Sequence, residues 1–296
     1  MTMNDFLIEQ QLHKLDPELH QRFRDGICAL QKQLVNYQYI FPEFTDHSEL
    51  HALTVIDYCN ELVSEEIQRL NAHELYVLLM ACYYHDIGMG IRTKEYTEFF
   101  RKIDFGDYFE THDRMDVPRT IRDFHNEFSG LFFEKYAALY ESPSDAHTFA
   151  IVQTIRGHRK TDLFDETEYP QRLDLPSGDS ICLPYLAAIL RLADEMDVTS
   201  ARNPEILYDI SQIKDDRQIF EHKKHKAVQE LEVTREDMIL HVDTQEPDVY
   251  DGVVQLADKL QRTLDYCVRV VRERTPYEIT QRQVHIKRLE GPDNMF

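Results

Sequence analysis

A chain of 296 residues with 42% hydrophobic side chains is long enough to bury one large core or two modest ones, which excludes a disordered polymer over most of its length. Its 33 basic residues stand against 54 acidic ones, and a formal charge of −21 makes long duplex nucleic acid a poor partner. A small phosphorylated ligand held in a local basic pocket stays compatible with that balance.

From about residue 5 to about residue 200 the apolar spacing is helical, with few breakers. Asp46 followed by Glu49 has the form of a capping box, opening a helix whose apolar stripe is Val55, Tyr58, Cys59 and Leu62 and whose same face carries His51. Asn71 and Glu74 repeat the pattern before the apolar run from Val77 to Tyr84, which closes on His85-Asp86 with Gly88 placed to break the helix. A charged doublet has no packing reason to end such a run, and a buried carboxylate needs compensation of the kind a metal supplies.

Residues 91–119, with Lys94, Gly106 and Pro118 among charged and aromatic neighbours, read as a long connection or lid. A helix over about 121–140 then carries His125 and Glu127, one over about 145–157 delivers His158, and one from Pro184 to Met196 carries Arg191 and Asp194. Side chains on so many separate helices converge in a helical bundle with inward-facing ligands.

After about residue 205 the texture changes. Val228 to Val233 and Met238 to Val242, around Thr234-Arg235-Glu236-Asp237, predict a hairpin. A helix over about 248–273 follows, with Val253, Val254, Leu256, Leu260, Leu264 and Cys267 at helical spacing, and Val284 to Ile286 predict a last strand. The expected fold is therefore mostly α, with residues 1–205 as a helical metal-binding catalytic domain and residues 206–296 as a small α+β appendage.

Five widely spaced cysteines without a CxxC pair read as reduced thiols. The opening Met1-Thr2-Met3-Asn4-Asp5 has no basic stretch, and no apolar run reaches the roughly 20 residues that cross a bilayer, so a cytoplasmic, membrane-free protein is expected.

The order His51, His85-Asp86, His125, His158, Asp194, with the strings HxxxV (His51 to Val55), HDIG (His85 to Gly88) and LRLADExD (Leu190 to Asp197), resembles the HD-domain metal-dependent phosphohydrolase superfamily over about residues 40–205. The extra His125 and His158 resemble its two-metal subset. Phe44-Thr45-Asp46-His47, His85 to Met89 and Leu190 to Asp197 further resemble the HD modules of bacterial conflict and stress-response proteins. The resemblance implies an HD helical bundle in which His51, His85, Asp86 and Asp194 hold one divalent ion, with Asp86 bridging to a second held by His125 and His158. The donor types suit manganese, iron, zinc or magnesium. It also implies a hydroxide between the ions as nucleophile, Asp86 and His125 at the catalytic centre, and Glu127 orienting a ligand histidine or relaying a proton.

The chain departs from the cyclic-dinucleotide branch of that superfamily. His47 stands about where that branch has a glutamate, Met89 where it has a lysine, and its Gly-Tyr-Pro motif is missing, all of which count against cyclic di-GMP as substrate. Candidate phosphate or substrate contacts are His47, Arg159, Lys160, Arg191, Arg202, Lys223 and Lys224, each equally readable as a surface charge. The expected activity is hydrolysis of a phosphate ester or anhydride in a small nucleotide or related signalling molecule. A di-iron oxygenase on the same ligand order and a non-catalytic nucleotide-sensing module are the alternatives.

Overall fold

The computed structural model describes residues 6–34, 49–200 and 216–289. Ten helices of its first part follow in chain order: α1 (Leu7–Leu15), α2 (Pro17–Leu34), α3 (Glu49–Val63), α4 (Ala72–Tyr84), α5 (Thr93–Phe99), α6 (Tyr108–Thr111), α7 (Val117–Asp123), α8 (His125–Tyr136), α9 (Asp145–Gly157) and α10 (Leu183–Met196). A two-residue antiparallel ladder, β1 (Leu173–Asp174) with β2 (Ser180–Ile181), separates α9 from α10. The chain is mostly helical with a small carboxy-terminal sheet, as its periodicity predicts.

A helix that is apolar all round has to be covered on every side. Helix α4 meets that demand: every residue from Glu74 to Tyr84 is buried, and α1, α2, α3, α9 and α10 pack around it. Its start is fixed by the expected capping box, in which Asn71 Oδ1 accepts from the Glu74 amide at 3.0 Å and Glu74 Oε2 accepts from the Asn71 amide at 3.1 Å. The Glu74 carboxylate also accepts from the Cys182 amide at 3.1 Å and from the Tyr277 hydroxyl at 2.9 Å. One buried side chain thus ties the starts of α4 and α10 to the segment after the last long helix.

The carboxy-terminal part consists of α11 (Asp216–Ala227), the hairpin β3 (Val228–Val233) and β4 (Asp237–Val242), α12 (Pro247–Arg274) and β5 (Gln283–Arg288). β3 and β4 are antiparallel and β4 and β5 parallel, so α12 is the crossover between two parallel strands. Val253, Leu260, Leu264 and Cys267 form the buried stripe of α12, which packs on α10 and α11.

Two local expectations differ from what is observed. The helix over 121–140 is interrupted at Phe124, whose backbone at φ −123° and ψ 21° leaves helical geometry, so that α7 ends at Asp123 and α8 starts at His125. The stretch 91–119 contains α5 and α6, its Phe100, Phe105 and Phe109 cluster with Phe124, and no residue of it lines the cavity bounded by Asp86 and Asp194. Asp46, half of the other predicted capping box, lies outside the described residues. Of the cysteines, Cys59, Cys82, Cys182 and Cys267 are buried thiols and Cys28 is an exposed one. Among the described residues no helix is long and apolar enough to cross a membrane.

Candidate metal centre

Three of the four histidines at the centre sit at the ends of helices, and that placement sets their chemistry. The last carbonyls of a helix have no intrahelical partner, so a histidine just beyond can donate to the carbonyl three residues back. His85 Nδ1 donates to Cys82 O at 2.8 Å at the end of α4, and His158 Nδ1 to Ile155 O at 2.6 Å at the end of α9. His125 Nδ1 donates to Arg122 O at 2.6 Å where α7 ends. His51 lies within the first turns of α3, where the helix supplies no free carbonyl, and its Nδ1 donates instead to Asp197 Oδ2 at 2.6 Å. With Nδ1 engaged outward, each of the four rings turns its Nε2 inward.

The inward nitrogens face one another in pairs. His51 Nε2 is 3.1 Å from His85 Nε2, and His125 Nε2 is 2.9 Å from His158 Nε2. Asp194 Oδ1 joins the first pair at 3.3 and 3.7 Å. Asp86 spans both: its Oδ2 is 3.5 Å from each of His51 and His85, while its Oδ1 is 3.2 Å from His125 and 3.9 Å from His158. The expected six ligands are together, with Asp86 between two groups.

Two lone pairs about 3 Å apart repel unless a proton or a cation lies with them. Burial pushes His158 well below the usual imidazole pKa, with His125 and His85 adding to the shift, which disfavours the proton. Burial opposes ionisation of Asp194, yet hydrogen bonds with His51 and His85 hold its pKa well below the usual carboxylate range. Donors around one ion at about 2.0–2.2 Å stand roughly 2.8–3.6 Å apart between right-angle and tetrahedral geometry. The donors of each group fall near that range, those of His51, His85 and Asp194 all within 4.8 Å of one another and those of Asp86, His125 and His158 likewise. Each of the two groups could hold a metal ion.

Asp86 reaches this position because the chain turns sharply after α4. At φ −105° and ψ 4° it occupies the bridge region and leads into the 3-10 turn Ile87–Gly90. The Gly88 amide donates to Ser129 Oγ at 2.8 Å, docking that turn onto α8.

A cavity of about 470 Å³ opens over the centre, within the range that takes a small ligand. Asp86, His125, His158 and Asp194 lie on its wall, with Arg159, Lys160 and Arg191. Arg191 donates to Gly157 O and Thr161 O, each at 2.7 Å, and so braces the end of α9 that carries His158. Arg159, Lys160 and the likewise lining Arg262 of α12 have no carboxylate partner among the described residues.

The other candidates lie elsewhere. Glu127 is half-buried, accepts from Arg156 Nε at 2.8 Å and does not line the cavity. Lys223 pairs with Glu246 at 2.7 Å in solvent, and Lys224 pairs with Glu221 at 2.7 Å beside Phe220. From that same basic run it is His225, one turn after Glu221, that lines the cavity. His47 and Arg202 lie outside the described residues. Asp197, Lys259, Arg262 and Tyr266 are cavity residues the sequence reading did not single out.

The family model described as HD-CE matches residues 41–277 of the chain. No curated protein and no solved structure matches it.

Proposed function

The chain belongs to the HD-CE family, and on that premise we propose that it is a metal-dependent phosphohydrolase cleaving a phosphate ester or anhydride in a small nucleotide or related phosphorylated molecule. One observation carries the reading: the two oxygens of Asp86 face two different histidine pairs, a shared carboxylate between two ion positions that opens on a cavity whose wall carries Arg159, Lys160, Arg191 and Arg262. The chemistry that divalent ions would supply, if held by His51, His85, Asp86, His125, His158 and Asp194, is an activated water and polarisation of the phosphoryl group.

The chain's own residues do the rest. The four Nδ1 hydrogen bonds hold the imidazoles in the tautomer that presents Nε2, so no ring has to reorient when the site is loaded. Arg159, Lys160 and Arg262 neutralise phosphate oxygens over the centre, and Arg191, already bound to two carbonyls, keeps its positive charge on the same wall. A negatively charged ligand is drawn to this patch although the protein as a whole carries −21.

The test is a manganese-supplemented screen of nucleotides, dinucleotides and a generic phosphodiester for release of phosphate or nucleoside. Metal-dependent release that EDTA abolishes supports the reading. Bound iron with oxygen consumption and no phosphate release would move the site to the di-iron oxygenases. Nucleotide binding without turnover would make it a sensing module.

A further inference from the structure

We propose that Asp197 makes the two ion positions unequal: acting through His51, it tightens the position formed by His51, His85 and Asp194, which therefore fills first, and the position at His125 and His158 fills only at higher free metal. The inference rests on the metal-dependent reading above and adds to it an order of loading and the residue that sets it.

The backing of the four imidazoles differs in kind. His85, His125 and His158 each donate Nδ1–H to a backbone carbonyl, a neutral dipole. His51 alone donates to a carboxylate, at 2.6 Å, with the two side chains 1% and 2% exposed. A hydrogen bond to an anion out of solvent is shorter and stronger than one to a carbonyl. It shifts electron density toward Nε2, raises its basicity as a ligand, and holds the ring more firmly.

Charge adds to the difference. The first position has Asp194 in its own group and the near oxygen of Asp86 at 3.5 Å, with Asp197 directly behind His51. The second has the far oxygen of Asp86 and two imidazoles. The nearby acid of α8, Glu127, is turned to Arg156 at 2.8 Å and does not serve it. A carboxylate as buried as Asp197 is expensive to keep ionised, and a cation behind the imidazole it contacts offsets that expense.

Asp197 is thus a positioning residue and touches no ion itself. A purely structural role for it would lower thermal stability without separating the two affinities. The full chain, stripped with chelator, is titrated with Mn²⁺ by calorimetry as wild type, Asp197→Asn and His158→Ala, each first shown to be folded by circular dichroism. Wild type is expected to load in two steps. Asp197→Asn keeps an acceptor for Nδ1–H but removes the charge, and should weaken the tight step by about 10–100-fold while leaving the weak one in place. His158→Ala should remove the weak step alone.

Two equal steps in wild type, or an unchanged tight step in Asp197→Asn, would overturn the proposal. No binding of Mn²⁺ by wild type would overturn the metal-dependent reading itself and this inference with it. Should Asp197→Asn not fold, the wild-type and His158→Ala titrations still decide whether the positions are unequal and which is tight.

Discussion

Gly88 and His125 meet backbone to backbone: a Cβ on Gly88 would stand 2.5 Å from the His125 carbonyl oxygen and 2.6 Å from the Ser129 amide. The turn that carries Asp86 is pressed onto the helix that carries His125, and only a residue without a side chain allows it. Gly88→Ala must push the two apart. Overpacking of this kind costs about 1–3 kcal/mol, so the urea midpoint should fall by that equivalent, with weaker metal binding at His125. An unchanged midpoint would show that the contact gives way freely.

Glu127→Gln should leave metal content as it is in wild type. Its carboxylate pairs with Arg156 Nε at 2.8 Å, both side chains about a quarter exposed, and such a pair contributes up to about 1 kcal/mol. Elemental analysis showing loss of a metal in this variant would mean that Glu127 supports the centre after all.

Much of the centre is legible in the sequence because each candidate ligand is marked by context. His85-Asp86 ends an apolar run, His158 and Asp194 close predicted helices, and His51 shares the face of an apolar stripe. Asp197 is legible only in retrospect, three residues beyond Asp194, since nothing local says that its partner lies on a helix 146 positions away in sequence. Lys259 and Arg262 look like ordinary surface charges on an amphipathic helix, and only the packing of α12 across α10 brings them to the cavity. The break at Phe124 is hidden for a related reason, since the apolar period runs through it and the interruption accompanies packing of the Phe124 ring on Phe105, distant in sequence, at 4.8 Å between centroids.

Acid should weaken the fold through His147. Burial, with His73 beside it, lowers its pKa from 6.5 to about 4. The unfolded chain takes up this proton near the ordinary value and the folded chain only at the lower one, so between them the unfolded state holds more protons. Its share of stability is therefore complete near neutral pH and is lost as pH falls through that window. Urea midpoints at about pH 7 and about pH 5 should differ less in His147→Gln than in wild type, and equal differences would contradict the assignment.

Removing the positive wall should act on substrate binding more than on turnover. Arg159→Ala together with Lys160→Ala should raise KM about 10-fold or more, with kcat changed less, and should flatten the loss of affinity with added salt. A variant with wild-type KM at low and high salt would place the phosphate elsewhere.

The sharing of Asp86 between two ion positions is the central claim, and elemental analysis of the purified chain after manganese loading tests it most directly. Wild type should retain about two ions per chain, His125→Ala about one and Asp86→Ala close to none, because Asp86 faces both histidine pairs. Retention of both ions in a folded Asp86→Ala protein would contradict the account.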